Sequence, residues 1–290
     1  EITMKGLIKR RNSWVNYSRN KMINKILIVK KMSAQEFYYD GKNKSPEVVE
    51  ADLEQEKNLC LIKKILDSNK KDYKILTRKE LPNKIVSDYD LVISAGGDGT
   101  VIATAAYNLD VPQLNLKLDS KSVGALCASD VKSSLEKVLA GNCSVEKWTR
   151  QDIFLDGKFV GRALNDVCIG EGKYELNFSK MAVYELEFTD ENGMTQKDFH
   201  KNSGLIVVTG NGSSAWGKAF STYSRQSDLF SFITVLPNAG NINYGKGTDL
   251  KIIYKHHEGK IALDTINYNF PRDSILEIKL SKNPLKVVVF

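Results

Sequence analysis

The stretch LVISAGGDGTVIATAA, residues 91 to 106, constrains the fold more than any other part of the chain. Its apolar run reads as a fully buried strand, Gly96, Gly97 and Gly99 as a tight turn, and the residues from Thr100 as a helix. A strand that ends in glycines at a helix start forms a phosphate cradle at the carboxyl end of a parallel sheet. Glycines admit close approach to the backbone, and unpaired N–H groups at a helix N-terminus attract anions. Asp98 complicates a simple anion site, because its carboxylate repels phosphate. Two roles reconcile it: Asp98 or Thr100 caps the helix, or Asp98 takes the proton of an attacking hydroxyl or helps to hold Mg²⁺ beside the phosphate.

The segments around this loop alternate between strand and helix. INKILIVKK reads as a buried strand, and Ser45 to Ser68 as a helix opened by Pro46, with Val49, Leu53, Leu59, Ile62, Ile65 and Leu66 at helical spacing. DYKILT and PQLNLKL are further strands, and KSSLEKVLAG is a helix ending in a glycine suited to its C-terminus. This alternation predicts an α/β layer domain with a mostly parallel sheet over residues 22–145. From about Trp148 the pattern changes to short strands separated by turn residues, with hairpin signals in LDGKF and TDENGM, which predicts a mainly β, sandwich-like domain over 146–290. No linker separates the halves, so they are expected to share a tight interface, a common place for a small-molecule site.

Composition narrows the function classes. The net charge is +7, but residues 1–21 carry six basic side chains against Glu1 alone, which accounts for five of those charges and leaves two for the rest. A nearly neutral body argues against nucleic acid as a partner. The basic segment suits a leader, a mitochondrial targeting sequence or a phosphate-seeking arm. No apolar run approaches the ~20 residues needed to cross a bilayer. The four cysteines, Cys60, Cys127, Cys143 and Cys168, form no metal-binding spacing. They read as reduced, mostly buried thiols of a soluble intracellular protein, in the mitochondrial matrix or the cytoplasm. KHHEGK, residues 255 to 260, reads as an exposed hairpin turn rather than a metal site.

GGDGT after a strand, ALNDVCIG and SGLIVVTGNGSSAW, in that order and spacing, resemble the hallmark segments of the NAD kinases. SVGALC and TGNGSSAW look most like the mitochondrial type. The resemblance covers roughly residues 23 to 290 and implies an α/β domain, a β-sandwich-like domain, and a final strand that returns to the first. It implies transfer of the γ-phosphate of ATP, with Mg²⁺ or another divalent cation, to the 2′-hydroxyl of NAD's adenosine ribose, in a homodimer or higher homo-oligomer. By resemblance Asp98 matches the base, and Gly96, Gly97, Gly99 and Thr100 match the phosphate loop. Asn165 and Asp166 match the contacts to the adenosine of NAD. Thr209, Asn211, Ser213, Ser214, Ala215 and Trp216 match the segment that closes over the dinucleotide. No residue is assigned as a protein metal ligand. The side chains suit these tasks on their own terms: Asn165 both donates to and accepts from an adenine edge, and Asp166 accepts from ribose hydroxyls.

The chain departs from the family pattern at Ser203, where an acid is usual, at Asn211 and Trp216, and at Asp264, which is followed by Thr265 instead of glycine. Three other readings stay open. GSSAWGKA nearly spells a P-loop but carries Ala219 where a hydroxyl would hold Mg²⁺. Diacylglycerol and sphingosine kinases also use a glycine-Asp-glycine loop. A catalytically silent homologue would bind NAD or NADP as a sensor.

Overall fold

A computed structural model describes residues 15–16, 23–33, 45–81, 85, 88–172, 176–220 and 222–290. The expected basic leader therefore lies outside the described residues, except for the backbone of 15–16.

The first half is built on a seven-stranded sheet. Its elements are β1 (Val15–Asn16), β2 (Lys25–Lys30), α1 (Pro46–Ser68), β3 (Asp72–Thr77), β4 (Leu91–Gly96), α2 (Asp98–Tyr107), β5 (Gln113–Lys117), α3 (Val131–Leu139) and β6 (Ser144–Trp148). The strand order is β1-β6-β18-β5-β4-β2-β3, in which β18 is the last strand of the chain, Leu285–Val289. Strands β2 to β5 pair in parallel, and β18 joins β5 in parallel and β6 antiparallel. Both faces of β2 and β4 are covered, so Ile26–Val29 and Leu91–Ile93 read as unbroken apolar runs. Ile26 and Ile28 face a core shared with Ile62 and Leu66 of α1 and Leu135 and Val138 of α3. Leu27 and Val29 face the opposite core with Val92 and Val111.

Helix α1 begins as its sequence predicts, with Ser45 accepting from the Val48 amide and Pro46 in the first turn. Its buried face is the expected one in the C-terminal part, where Ile62 and Leu66 are buried and Leu59 and Ile65 pack against the same core, but not in the N-terminal part. Val49 and Leu53 are exposed, and the inward positions are Ala51, Gln55, Ile62 and Leu66. The N-terminal part of α1 is tied down by polar contacts to the strand ends instead: Gln55 donates to the Lys31 carbonyl and Asn58 to the Leu118 carbonyl.

The second half contains β7 (Gln151–Leu155), β8 (Lys158–Ala163), β9 (Asp166–Glu171), β10 (Ala182–Asp190), β11 (Thr195–Asn202), β12 (Gly204–Val208), β13 (Phe230–Val235), β14 (Tyr244–Tyr254), β15 (Glu258–Leu263), β16 (Ile266–Pro271) and β17 (Ile275–Leu280). They form one antiparallel sheet of 11 strands along the path β16-β15-β9-β12-β13-β14-β17-β7-β8, with β10 pairing β14 and β11. The sheet curls around a single core that includes Ile153, Ile169, Tyr184, Phe230, Phe232 and Tyr254. Its two ends meet where Tyr268 donates to the Val160 carbonyl. The β7–β8 hairpin turns at Asp156 and Gly157, both at positive φ, which is the geometry that Asp-Gly favours.

Two expectations change. KHHEGK is not a hairpin turn, because β14 pairs β10, β13 and β17 while β15 pairs β9 and β16, so the segment crosses between non-adjacent strands. His256 there bonds Glu171, which also accepts from Tyr254. Of the four free thiols only Cys168 is buried, while Cys60 is exposed. No described helix is long and apolar enough to cross a membrane.

Candidate functional site

Strand β4 ends at Gly96 and α2 starts at Asp98, so the glycine loop is as tight as its sequence suggests. The helix cap is Gly97, and no side chain caps it. Neither Asp98 nor Thr100 is therefore the capping residue. The Asp98 carboxylate instead reaches sideways to the loop after β5, where Oδ2 accepts from the Ala125 amide (3.1 Å) and Oδ1 from the Leu126 amide (2.9 Å). The carboxylate is held in one orientation at the mouth of the loop.

The three glycines differ in what demands them. A β-carbon at Gly96 would collide with Thr100 Oγ1, and one at Gly97 would lie 2.5 Å from the Val123 carbonyl oxygen. Internal packing alone excludes side chains at both positions. At Gly99 the one neighbour within reach is Arg78 Nη1, at 3.3 Å, and the same nitrogen donates to the Gly99 carbonyl. Arg78 thus lies directly on the exposed turn of the loop.

This loop forms one wall of a cleft of about 660 Å³ at the carboxyl ends of β2, β4 and β5. Lys31, Arg78 and Lys121 bring positive charge to it, and Glu47, Asp98 and Asp119 bring negative charge. Lys31 is committed internally, donating to Asp119 (2.6 Å) and Ser122 (2.9 Å). Burial raises the Asp119 carboxyl, but bonds from Lys31 and Ser122 outweigh it and hold the group below the usual carboxylate range. None of Lys31, Arg78 or Asp119 was singled out from sequence. Each follows directly on an observed strand or lies one residue beyond it, and that is where ligands sit in open α/β sheets.

The other candidate residues gather in the second half. Asp166 starts β9 and Asn165 precedes it, and Thr209 follows β12 beside them, with its amide donating to the Asn165 carbonyl and its hydroxyl to the Leu164 carbonyl. Gly212 packs directly on the Asn165 backbone, and Gly210 on Ser224. Ser213 is turned inward, donating to Gly210 and accepting from the Tyr223 amide. Ser214, Ala215 and Trp216 are exposed, Trp216 to 61%, so this indole is no core residue. Asn165 Oδ1 and Asn211 Oδ1 are buried acceptors without a donor among the described residues. Such groups are costly unless a ligand or water satisfies them.

Asp264, read from sequence only as the remnant of a motif, is the organiser of this region. Held at positive φ, it accepts from the amides of Leu164, Asn165 and Asp166. Burial and the charge of Asp264 push the neighbouring Asp166 carboxyl up to about 7.

The two groups of residues are linked through Arg225. Its guanidinium donates to the Ala125 carbonyl (2.9 Å) and lies over the Trp148 ring at 4.5 Å, while the adjacent Ser224 packs on Gly210. The loop that orients Asp98 is thereby tied to the Thr209–Trp216 segment. That segment consists of two short 3₁₀ turns, Gly212–Ser214 and Trp216–Ala219. The P-loop reading fails on this point, because no α-helix N-terminus follows β12 to receive phosphate.

No family model matches the chain. Among curated proteins, the chain is 28% identical over 131 residues to an NAD kinase of Chlorobium phaeobacteroides (strain BS1), covering 44% of this chain and 43% of that one. It is 23% identical over 211 residues to an NAD kinase of Picrophilus torridus, covering 69% and 73%. It is 34% identical over 140 residues to an NAD kinase of Citrifermentans bemidjiense, covering 46% of each. The match thus spans less than half the length of the first and third of these relatives. Among solved structures, yeast NADH kinase complexed with NADH superposes with a TM-score of 0.68 at 12% identity, covering 92% of this chain and 84% of that one. An NAD kinase from Archaeoglobus fulgidus in complex with ATP gives 0.65 at 16% identity, covering 91% and 92%.

Proposed function

We propose that this chain, whose sequence relatives are NAD kinases and whose fold is that of NAD and NADH kinases, phosphorylates NAD at the 2′-hydroxyl of its adenosine ribose at the expense of ATP. The observation that carries the reading is Asp98, a carboxylate fixed by two amides at the mouth of a glycine loop, facing a cleft at the carboxyl ends of parallel strands.

In this reading the 2′-oxygen attacks the γ-phosphorus, an O–P bond forms, and the bond between the γ-phosphorus and the bridging oxygen breaks to release ADP. Asp98 accepts the hydroxyl proton and passes it to solvent. Gly96, Gly97, Gly99 and Thr100 frame the phosphate side. Asn165 receives the adenine edge on its unsatisfied Oδ1, Asp166 receives ribose hydroxyls, and Thr209 to Trp216 form the wall over the dinucleotide. Thr209 and Ser213 serve that wall from within, since their hydroxyls are spent on its backbone. The indole of Trp216 lies on its outside.

Among the described residues no group of three or more His, Cys, Asp or Glu side chains could hold a metal ion. Asp98 and Glu47 line the cleft and would meet a Mg²⁺ ion carried in on the triphosphate, which would offset phosphate charge. A homodimer or higher homo-oligomer belongs to the same reading.

The test is direct. Purified protein is incubated with ATP, Mg²⁺ and either NAD or a diacylglycerol, and the product is identified. NADP is expected. Phosphorylated lipid alone would transfer the reading to the lipid kinases, and NAD binding without turnover would identify a silent homologue.

A further inference from the structure

We infer that Arg78 is a catalytic residue of the phosphoryl transfer, its guanidinium contacting the γ-phosphoryl group as it passes from the nucleoside triphosphate to the acceptor hydroxyl. The inference rests on the kinase reading above and adds to it a residue from outside every motif of the chain. Arg78 opens a single 3₁₀ turn, Arg78–Glu80, directly after β3, and it enters the cleft from the sheet edge opposite β5. Its Nη1 donates to the Gly99 carbonyl at 3.3 Å, one residue from Asp98.

The glycine loop supports the same assignment. Gly96 and Gly97 are required by contacts within the fold, whereas a β-carbon at Gly99 would meet only Arg78. A side chain at that position would make the guanidinium give by a few tenths of an ångström. Arg78 and Asp98 line the same cleft.

Two other cations, Lys31 and Lys121, line the same cleft. Lys31 is bound to Asp119 and Ser122, and Lys121 is more than half exposed and lies 3.8 Å from Glu50. A guanidinium carries five N–H donors in a rigid fork, so it can hold a loop carbonyl and phosphate oxygens together. Charge on the transferring group is spread over its equatorial oxygens in the transition state, where a donor that stays in place is worth most.

The experiment compares the parent, R78A and R78K in a coupled NADP assay, with NAD affinity from calorimetry and guanidinium added at low millimolar concentration. Parental NADP formation is the control; if the parent forms none, the kinase reading itself falls. With the parent active, kcat of R78A is expected to drop about 10²- to 10³-fold, with NAD affinity within twofold. R78K is expected between the two, and added guanidinium is expected to restore part of the R78A turnover, a response that a merely unfolded variant does not give. A kcat within threefold of the parent, or a loss without any rescue by guanidinium, would overturn the assignment.

Discussion

At the scale of single residues, the position of Asp98 decides what its replacement measures. Because both carboxylate oxygens receive backbone amides, Asp98→Asn is more than the removal of a charge: the new amide nitrogen faces an N–H of Ala125 or Leu126 and one bond is lost. The stability cost is about 1–3 kcal/mol, the usual range for a broken hydrogen bond with a group left unpaired. Turnover should fall by about 10²- to 10⁴-fold, as expected for a lost general base. NAD affinity should be kept, because Asn165, Asp166 and Thr209 lie in the other half. Calorimetry for NAD, thermal melting and a coupled NADP assay separate the three quantities. Parental turnover in a folded variant would reduce Asp98 to a clip for the 122–127 loop.

At the scale of elements, the junction of β9 and β15 carries an electrostatic load. Burial first, then the charge on Asp264, raises the Asp166 carboxyl to about 7 in the folded protein, against an ordinary value near 4 in the unfolded chain. Between those values the folded state binds a proton that the unfolded state releases. The associated stability is present below about pH 4 and is lost as pH rises through about 7. Asp166→Asn cannot ionise, so its melting temperature relative to the parent should rise between pH 4.5 and 7.5. Melts of both proteins without ligand at the two pH values check this, and a constant difference would place the raised carboxyl elsewhere. The sequence displayed Asp166 and Thr209 as members of motifs and Asp264 only as the altered remnant of one, with no sign that it holds the amides of residues 164–166. Its role depends on β15 pairing with β9, a contact between segments about 95 residues apart.

At the scale of the molecule, what was legible in the chain was whatever is local. The buried run of β4, the Ser45–Pro46 start of α1 and the Asp156–Gly157 turn are each fixed by neighbouring residues. Lys31, Arg78 and Asp119 were not legible as site residues, because parallel pairing of β2 to β5 is what brings their strand ends to one cleft. Arg150 is the strongest case of the same kind. Its side chain is fully buried at the start of the second half, without an acid among the acceptors that receive it. It donates to the carbonyls of Ala105, Asn108 and Leu109 at the C-terminus of α2, and to that of Asn283, just before β18. Helix C-termini leave carbonyls unpaired and carry partial negative charge, which a cation offsets. One side chain thus ties the helix that begins at Asp98 to both crossings of the chain between halves. Arg150→Met fills a similar volume and removes every donor, leaving those carbonyls without partners in a buried place. Each buried carbonyl left unsatisfied costs about 1–3 kcal/mol, so the urea midpoint should fall sharply, followed by tryptophan fluorescence, Trp148 lying two residues away. An unchanged midpoint would mean that the halves are held together by the apolar contacts of α2 with Trp148, Leu164 and Val287 alone.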